Sequence, residues 1–488
     1  MKKIKYLMIL LIPFLFISSC KKNQQPEKKE IHVTNIIIEP LNDLSIGETE
    51  TLKITKVPEN AIDEITISTN ANDLINIENN NITALKDGKV TITVTSSNNI
   101  SNSINFNISS ILVNDGVVTG VKNKNIDYLY IPHIFKNQKI TKIGQDALAN
   151  LSNLKKVDIE EGIEEIEKYA FSNNTNLEEI SLPLTLQKVY NSSFEYCEKI
   201  KYNEKENGLY LGNESNNYLV LVKAKKLDIE TINVENETRI ILDYAFENCT
   251  NLKNIKMNDD IIHIGEYAFF ECVNLVEIKI PENVMELTYN LFCGCDNLET
   301  VELPEGLLTI GSYTFAYCHK LKNITIPSTV KTIEPYAFYS CVSIKKLIIP
   351  DSVTRIEVNG FYQCKGLEEI ILSKNLEYVG NYAFYNCHSL REITIPEKIT
   401  SISSYTFAHC SSLEKIILPS SVTKINLQAF ENCIKLKEIY ISKNMDYIGD
   451  SVFLNCKVLT IYCELSEKPD TWEQSWNISN CNVIWNNN

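Results

Sequence analysis

Residues Leu321 to Ser343 read LKNITIPSTVKTIEPYAFYSCVS. Leu321, Ile324 and Ile326 follow an L-x-x-I-x-I pattern. Ile324 and Ile326, two apart, face one side of a strand and Thr325 faces the other. Pro327 then ends the strand, because it has no N–H to give to a ladder. Val330 and Ile333 point inward from the next segment. Ala337, Phe338 and Cys341 have the spacing of a single helical or 3₁₀ turn. One such coil cannot bury its apolar side alone. Stacked coils bury it continuously, and their strands form one long parallel sheet.

The same pattern recurs with a fixed step. Cysteines stand at 249, 272, 295, 318, 341, 364, 387, 410, 433 and 456, always 23 residues apart. A phenylalanine precedes each by three residues, from Phe246 to Phe453, and Leu or Ile follows each by three. Upstream, Phe171 and Phe194 keep the period, with Asn174 and Cys197 in the cysteine column and Leu148 in the phenylalanine column. A period of 20 to 50 residues marks a repeat architecture. The stretch Ile200 to Asp228 breaks it. Gly208–Gly212 and Tyr218–Val222 read as two strands around a polar turn, hence a hairpin or irregular rung over 200–228. Strands beginning near Ile126, Leu154, Leu177, Ile229 and the nine from Leu252 to Leu436 give about 13 rungs, a sheet on the order of 60 Å long.

The L-x-x-I-x-I-P…V-x-x-I…A-F-x-x-C motif resembles the leucine-rich repeats of the BspA-like class of bacterial and protist surface proteins, over roughly Asp115 to Trp485. The fold expected is therefore a β-rich leucine-rich-repeat solenoid over 111–458, a parallel sheet with short 3₁₀ or helical turns on its back. Residues 459–488 hold all three tryptophans, Trp472, Trp476 and Trp485, and read as a cap over the open end of the core. The BspA-like class has a similar tail.

Before the solenoid, residues 31–110 change to short alternating strands: Val33–Ile38, Thr51–Thr55, Glu64–Ser68, Leu74–Ile77, Lys89–Thr95 and Ser103–Ile108. Val90, Ile92 and Val94 alternate with polar neighbours, as in a half-buried strand. A small all-β sandwich is expected. Ile46-Gly47-Glu48-Thr49 and Lys86-Asp87-Gly88-Lys89-Val90-Thr91-Ile92 resemble two turns of the group 2 bacterial Ig-like domains. Many members of that family have a Trp where this chain has Ile67. The resemblance implies a spacer on a surface protein.

The first residues are a targeting segment rather than fold. Lys2, Lys3 and Lys5 precede an apolar stretch, Tyr6 to Ile17, too short for a spanning helix. Ile17-Ser18-Ser19-Cys20 resembles the lipobox of bacterial lipoproteins. That resemblance implies removal of 1–19, lipidation of Cys20 and membrane attachment through its acyl chains. Residues 20–30 are polar and read as a flexible tether.

The net charge of −15 argues against nucleic acid as a partner. The 15 cysteines of an exported chain suggest disulfides. Ladder cysteines one strand spacing apart, with parallel side-chain directions, exceed the Cβ separation a disulfide prefers. They are expected as buried thiols packing as small apolar groups. Cys463 and Cys481 flank the tryptophan tail, and a bridge between them stays open. Cys293-x-Cys295 has no second pair at metal-site spacing. His319, His388 and His409 adjoin ladder cysteines on either side, in a variable turn, and read as surface residues rather than nucleophile partners. No cofactor is implied.

One column remains informative. The outward strand position reads Asp158, Ser181, Asn233, Lys256, Lys279, Glu302, Thr325, Ile348, Ile371, Thr394, Ile417 and Tyr440. Its last five residues are aliphatic, aromatic or Thr, and stacked on an exposed face they would form a partner-binding patch. Strand propensity explains the same residues, so both readings stay open. The function expected is a non-enzymatic, membrane-anchored cell-surface protein that binds a protein or glycan ligand. Resemblance to the BspA-like class implies adhesion to host matrix, host cells or other microbes. The alternatives are a structural stalk without a specific ligand and an enzyme whose site is assembled across rungs.

Overall fold

The computed structural model describes residues 29–486, so Cys20, the lipobox and most of the tether lie outside the described residues. The described chain is β structure with one short 3₁₀ turn, Asn191–Phe194. No described helix is long and apolar enough to cross a membrane.

Residues 33–108 form eight strands in three antiparallel sheets around one core. The strand Gly88–Ser96 pairs with Ile65–Thr69 on one side and Ser101–Ile108 on the other. Its Val90, Ile92 and Val94 are fully buried, while Lys89, Thr91 and Thr93 are not. The single strand expected at Thr51–Thr55 is instead two, Thr49–Thr51 and Ile54–Val57, in different sheets. Buried Leu52 lies between them. The strand Asn81–Ala84 was not expected; it pairs with Ile75–Glu78 across Asn79 and Asn80, both at positive φ.

This unit is joined to the first coils by polar contacts. Ser109 Oγ donates to the Tyr130 carbonyl at 2.6 Å, and Ser110 Oγ to Asp87 Oδ1 at 2.9 Å. Lys122 and Lys136 reach Glu48 at 3.1 and 2.8 Å, and Lys89 reaches Glu160 at 3.0 Å. Asp87 is buried, its Oδ2 has no hydrogen-bond partner, and burial raises its carboxyl to about 6.

Ile111–Asn114 folds back antiparallel on Val117–Val121, and from that strand onward the coils stack as a parallel solenoid. In each coil a front strand such as Lys346–Ile348 pairs in register with the next, Glu369–Ile371. A short second strand such as Thr332–Ile333 does the same with Arg355–Ile356. Leu321, Val330, Ile333, Phe338 and Cys341 are all fully buried. The phenylalanines from Phe246 to Phe453 form one pile of near-parallel rings, with centroids 5.1 to 5.8 Å apart.

The expected helical or 3₁₀ turn is absent from this return path and, among the described residues, forms only at Asn191–Phe194. Ala337 N–H bonds the Glu334 carbonyl and Cys341 N–H bonds the Phe338 carbonyl, closing two successive β-turns. Their third residues, Tyr336 and Ser340, have φ of 59° and 61°, as type II turns require. Tyr336, Phe338 and Ser340 each donate N–H to the next coil, to Val358, Gly360 and Tyr362. A helix would turn those donors inward along the chain; the stacked coils take them for a third ladder.

The ladder cysteines are more than small apolar groups. Nine of them, Cys272 to Cys456, point Sγ at the carbonyl of the phenylalanine 26 residues earlier, at 3.0 to 3.3 Å. Asn174 explains its place in this column: its Nδ2 donates to the matching carbonyl, Leu148 O, at 2.9 Å. The column selects a short side chain with a donor aimed at the preceding coil.

The break at 200–228 is an antiparallel meander, Asn203–Lys205, Gly208–Leu211 and Val220–Ala224. It rejoins the solenoid on both faces. Gly212 bridges to Ser181 in front, and Val220 and Leu221 pair in parallel with Ile240 and Ile241 behind. Its strands divide the interior. Leu211, Val220 and Val222 belong to the core upstream, Tyr210 and Leu221 to the core downstream. Counting this bridge and the last two front strands, Thr460–Cys463 and Asn482–Trp485, gives about 16 coils among the described residues rather than 13. Trp476 meets the last phenylalanine edge-on at 6.1 Å, and Trp472, 2 % exposed, packs against Trp476 at 5.0 Å. Cys463 and Cys481 are free buried thiols, and Cys481 Sγ points at the Cys456 carbonyl.

Candidate interaction surface

The front sheet presents one residue per coil between two inward apolar neighbours. Ile348, Ile371, Ile417 and Tyr440 are 57, 47, 47 and 52 % exposed, and Thr394 is exposed beside them. Ile348 is aligned with Ile371, and Thr394 with Ile417. The column runs further than the sequence reading took it. Tyr440 is aligned with Tyr462, their rings stacked at 4.9 Å, and Tyr462 with Ile484. Each of the last two coils is one residue shorter, which hid Tyr462 from a fixed 23-residue count. Seven coils from Ile348 to Ile484 make an apolar stripe about 30 Å long at the usual strand spacing.

A row of charges runs beside the stripe. Lys346 pairs with Glu369 at 2.8 Å, Lys437 with Glu414 at 2.6 Å, and Glu368 lies between Lys345 and Arg391 at 3.5 and 3.7 Å. These exposed pairs add little stability; they set a polar margin. Toward the N-terminal end the same column becomes Lys256, Lys279 and Glu302, which line a polar hollow with Asn233, Asn254 and Glu277. The front face is thus apolar at one end and charged at the other.

The chemistry of the remaining candidates is unreactive. Burial raises the ladder thiols, Cys364, Cys410 and Cys456 to about 12 and Cys272 and Cys295 well above the usual range. A nucleophile or metal ligand needs the thiolate. His319 bonds Asp296 at 2.6 Å and His388 bonds Asn386 at 3.1 Å, so neither serves a cysteine. Cys293 is buried and its thiol is raised to about 12, by burial and then by nearby Glu271. Among the described residues no group of three or more His, Cys, Asp or Glu is arranged to hold a metal ion.

A second surface was missed entirely. Tyrosines on the return path touch in one continuous band. Tyr244 and Tyr267 stack at 4.8 Å, Tyr313 and Tyr336 at 4.4 Å, and Tyr382 and Tyr405 at 4.5 Å. Each of these six sits two residues before a ladder phenylalanine, at the positive-φ turn position. A bulky residue there costs on the order of 1 kcal/mol, and ring stacking returns about as much. The signal was a Tyr recurring at 23-residue steps ahead of the phenylalanine ladder.

A comparison with protein-family models matched the BspA type leucine-rich repeat region, in six copies, over residues 105–215, 224–345 and 331–460. Among solved structures, a leucine-rich repeat protein from Bacteroides ovatus is 22 % identical over 77 % of this chain and 97 % of that one, with a TM-score of 0.44. A leucine-rich cell surface protein from Faecalibacterium prausnitzii is 20 % identical over 80 and 96 %, with a TM-score of 0.27. The pneumococcal vaccine antigen PcpA is 19 % identical over 84 and 98 %, with a TM-score of 0.28. A comparison with curated proteins returned no match.

Proposed function

Because the chain belongs to the BspA type leucine-rich repeat family, we propose that it is a non-catalytic recognition protein presented at a cell surface, which grips a protein partner on the front stripe Ile348–Ile371–Thr394–Ile417–Tyr440. The observation that carries this reading is the exposure of those side chains in one unbroken column on a rigid parallel sheet. Large apolar side chains left in water along about 20 Å of aligned strands, about 30 Å with Tyr462 and Ile484, favour a contact that covers them. Aromatic and aliphatic anchors inside a polar rim are the anatomy of a binding surface. The 33–108 unit serves as an Ig-like spacer, and lipidation at Cys20 attaches the chain to a membrane. Adhesion to host matrix, host cells or other microbes is the role this arrangement suits.

The test replaces Ile371 and Ile417 with Lys in the full chain. Both side chains point to solvent, so thermal unfolding should be unchanged. Binding to immobilised matrix proteins and to whole cells should fall at least tenfold. Unchanged binding by a folded double variant would refute the stripe as the contact.

A further inference from the structure

The tyrosine band lies off the front sheet and is untouched by the reading above. Its turn column runs Tyr244, Tyr267, Asn290, Tyr313, Tyr336, Asn359, Tyr382 and Tyr405, one residue per coil. The two asparagines should interrupt the row of rings. They do not, because tyrosines from neighbouring positions close both gaps. Tyr289 touches Tyr267 at 5.4 Å and Tyr313 at 5.7 Å. Tyr339 and Tyr362 carry the contact from Tyr336 to Tyr382, through steps of 5.8, 5.1 and 6.5 Å. Tyr385 widens the band beside Tyr362 and Tyr382. The result is an aromatic strip eight coils long, which Tyr317 joins against Tyr339 at 5.0 Å, and Tyr244, Tyr289 and Tyr317 are exposed.

Folding does not call for this choice. Asn290 and Asn359 hold the same turn position at φ of 54° and 59°, and Asn is the easier residue there. Rings were placed where the backbone disfavours them and then made continuous across the places where they are missing. The partner is limited by three features of the strip. Its rings are uncharged and carboxylates border them, Glu247 and Glu266 near Tyr244 and Glu431 near Tyr382 and Tyr385, which turns away an anionic polymer. Each ring joins an apolar body to a hydroxyl, which suits a ligand with both C–H faces and hydrogen-bonding groups. The contact repeats at one coil per step along a line, so a polymer with a regular repeat can use every coil.

The geometry points to a second binding surface, in which the band Tyr244 to Tyr405 takes a neutral linear polysaccharide laid along the solenoid axis.

The experiment uses the full chain and a panel of cellulose, chitin, xylan and glucomannan. Wild type should be retained by at least one of them. The variant carrying Tyr313→Asn, Tyr336→Asn, Tyr382→Asn and Tyr405→Asn should keep its thermal transition and bind at least tenfold more weakly. The matching four Tyr→Phe changes keep the rings and should retain most of the binding. Failure of wild type to bind any of the four, or equal retention of the folded Asn variant, overturns the inference. So does a variant whose only loss is toward a carbohydrate-free protein. None of these results bears on Ile371 and Ile417, so the front stripe stands or falls separately.

Discussion

Replacing Phe338 with Ala tests whether the ring pile holds the coils together. Phe338 is fully buried between Phe315 at 5.3 Å and Phe361 at 5.1 Å. Large-to-small changes of this kind cost about 3 to 5 kcal/mol, from lost transfer energy and the cavity left behind. Roughly 1 kcal/mol for each of two ring contacts lies within that sum. Phe194 provides the internal comparison. It stacks on Phe171 at 5.9 Å, while the meander after it breaks the pile, and it is 7 % exposed. Phe194→Ala should therefore cost about 1 kcal/mol less, one ring contact being already absent. Phe338→Leu keeps most of the apolar volume, and Leu148 fills this column fully buried. It should cost only about 1 to 2 kcal/mol. Urea unfolding of the full chain, followed by far-UV circular dichroism and tyrosine fluorescence, gives the three values. A Phe194→Ala loss equal to or above that of Phe338→Ala would refute the reasoning, as would Phe338→Leu matching Phe338→Ala.

Two further outcomes follow from groups already described. The ladder thiols, buried and raised to about 12 at Cys364, Cys410 and Cys456, should react with Ellman's reagent only as fast as the chain unfolds; rapid labelling of the native protein would contradict their placement. Asp87, raised by burial from its ordinary 3.8 to about 6, holds its proton in the folded state over a range where the unfolded chain has lost it, so stability should fall as pH rises from about 4 to about 6 and stay lower above that. Asp87→Asn should remove this dependence and stabilise the protein at pH 7.5 by up to about 3 kcal/mol, read from paired denaturation curves at pH 4.5 and 7.5.

The coil itself was legible because every 23 residues return the chain to the same surroundings. Buried Phe and Cys and exposed strand residues therefore sort into columns that a single sequence displays. The return path was not legible. Ala337, Phe338 and Cys341 have the spacing of a helical turn, and two successive β-turns space them identically. What decides between them is whether the N–H groups of Tyr336, Phe338 and Ser340 bond inside the coil or across to the next, and that depends on residues 22 positions away. The strand Asn81–Ala84 could have been found, since paired residues at positive φ mark a two-residue hairpin and Asn79-Asn80 suits one. Tyr462 and Ile484 escaped because the last two coils are each one residue short, which shifts the count by one and then by two. The hydrogen bond of each ladder thiol escaped because its acceptor is a backbone carbonyl, which no side-chain pattern records.

The 26-residue reach of those thiols carries a consequence for how such a chain can lengthen or shrink. Each coil recognises its predecessor through the same carbonyl, the same ring and the same strand register. A duplication or deletion of one whole 23-residue unit therefore leaves every later residue with an equivalent neighbour, moved along the axis by about 4.8 Å. A duplication of any other length throws thiol, ring and outward column out of step together. The meander at 203–224 shows what a misfit of six residues requires: the surplus must leave the coil as a hairpin, and the interior divides on either side of it.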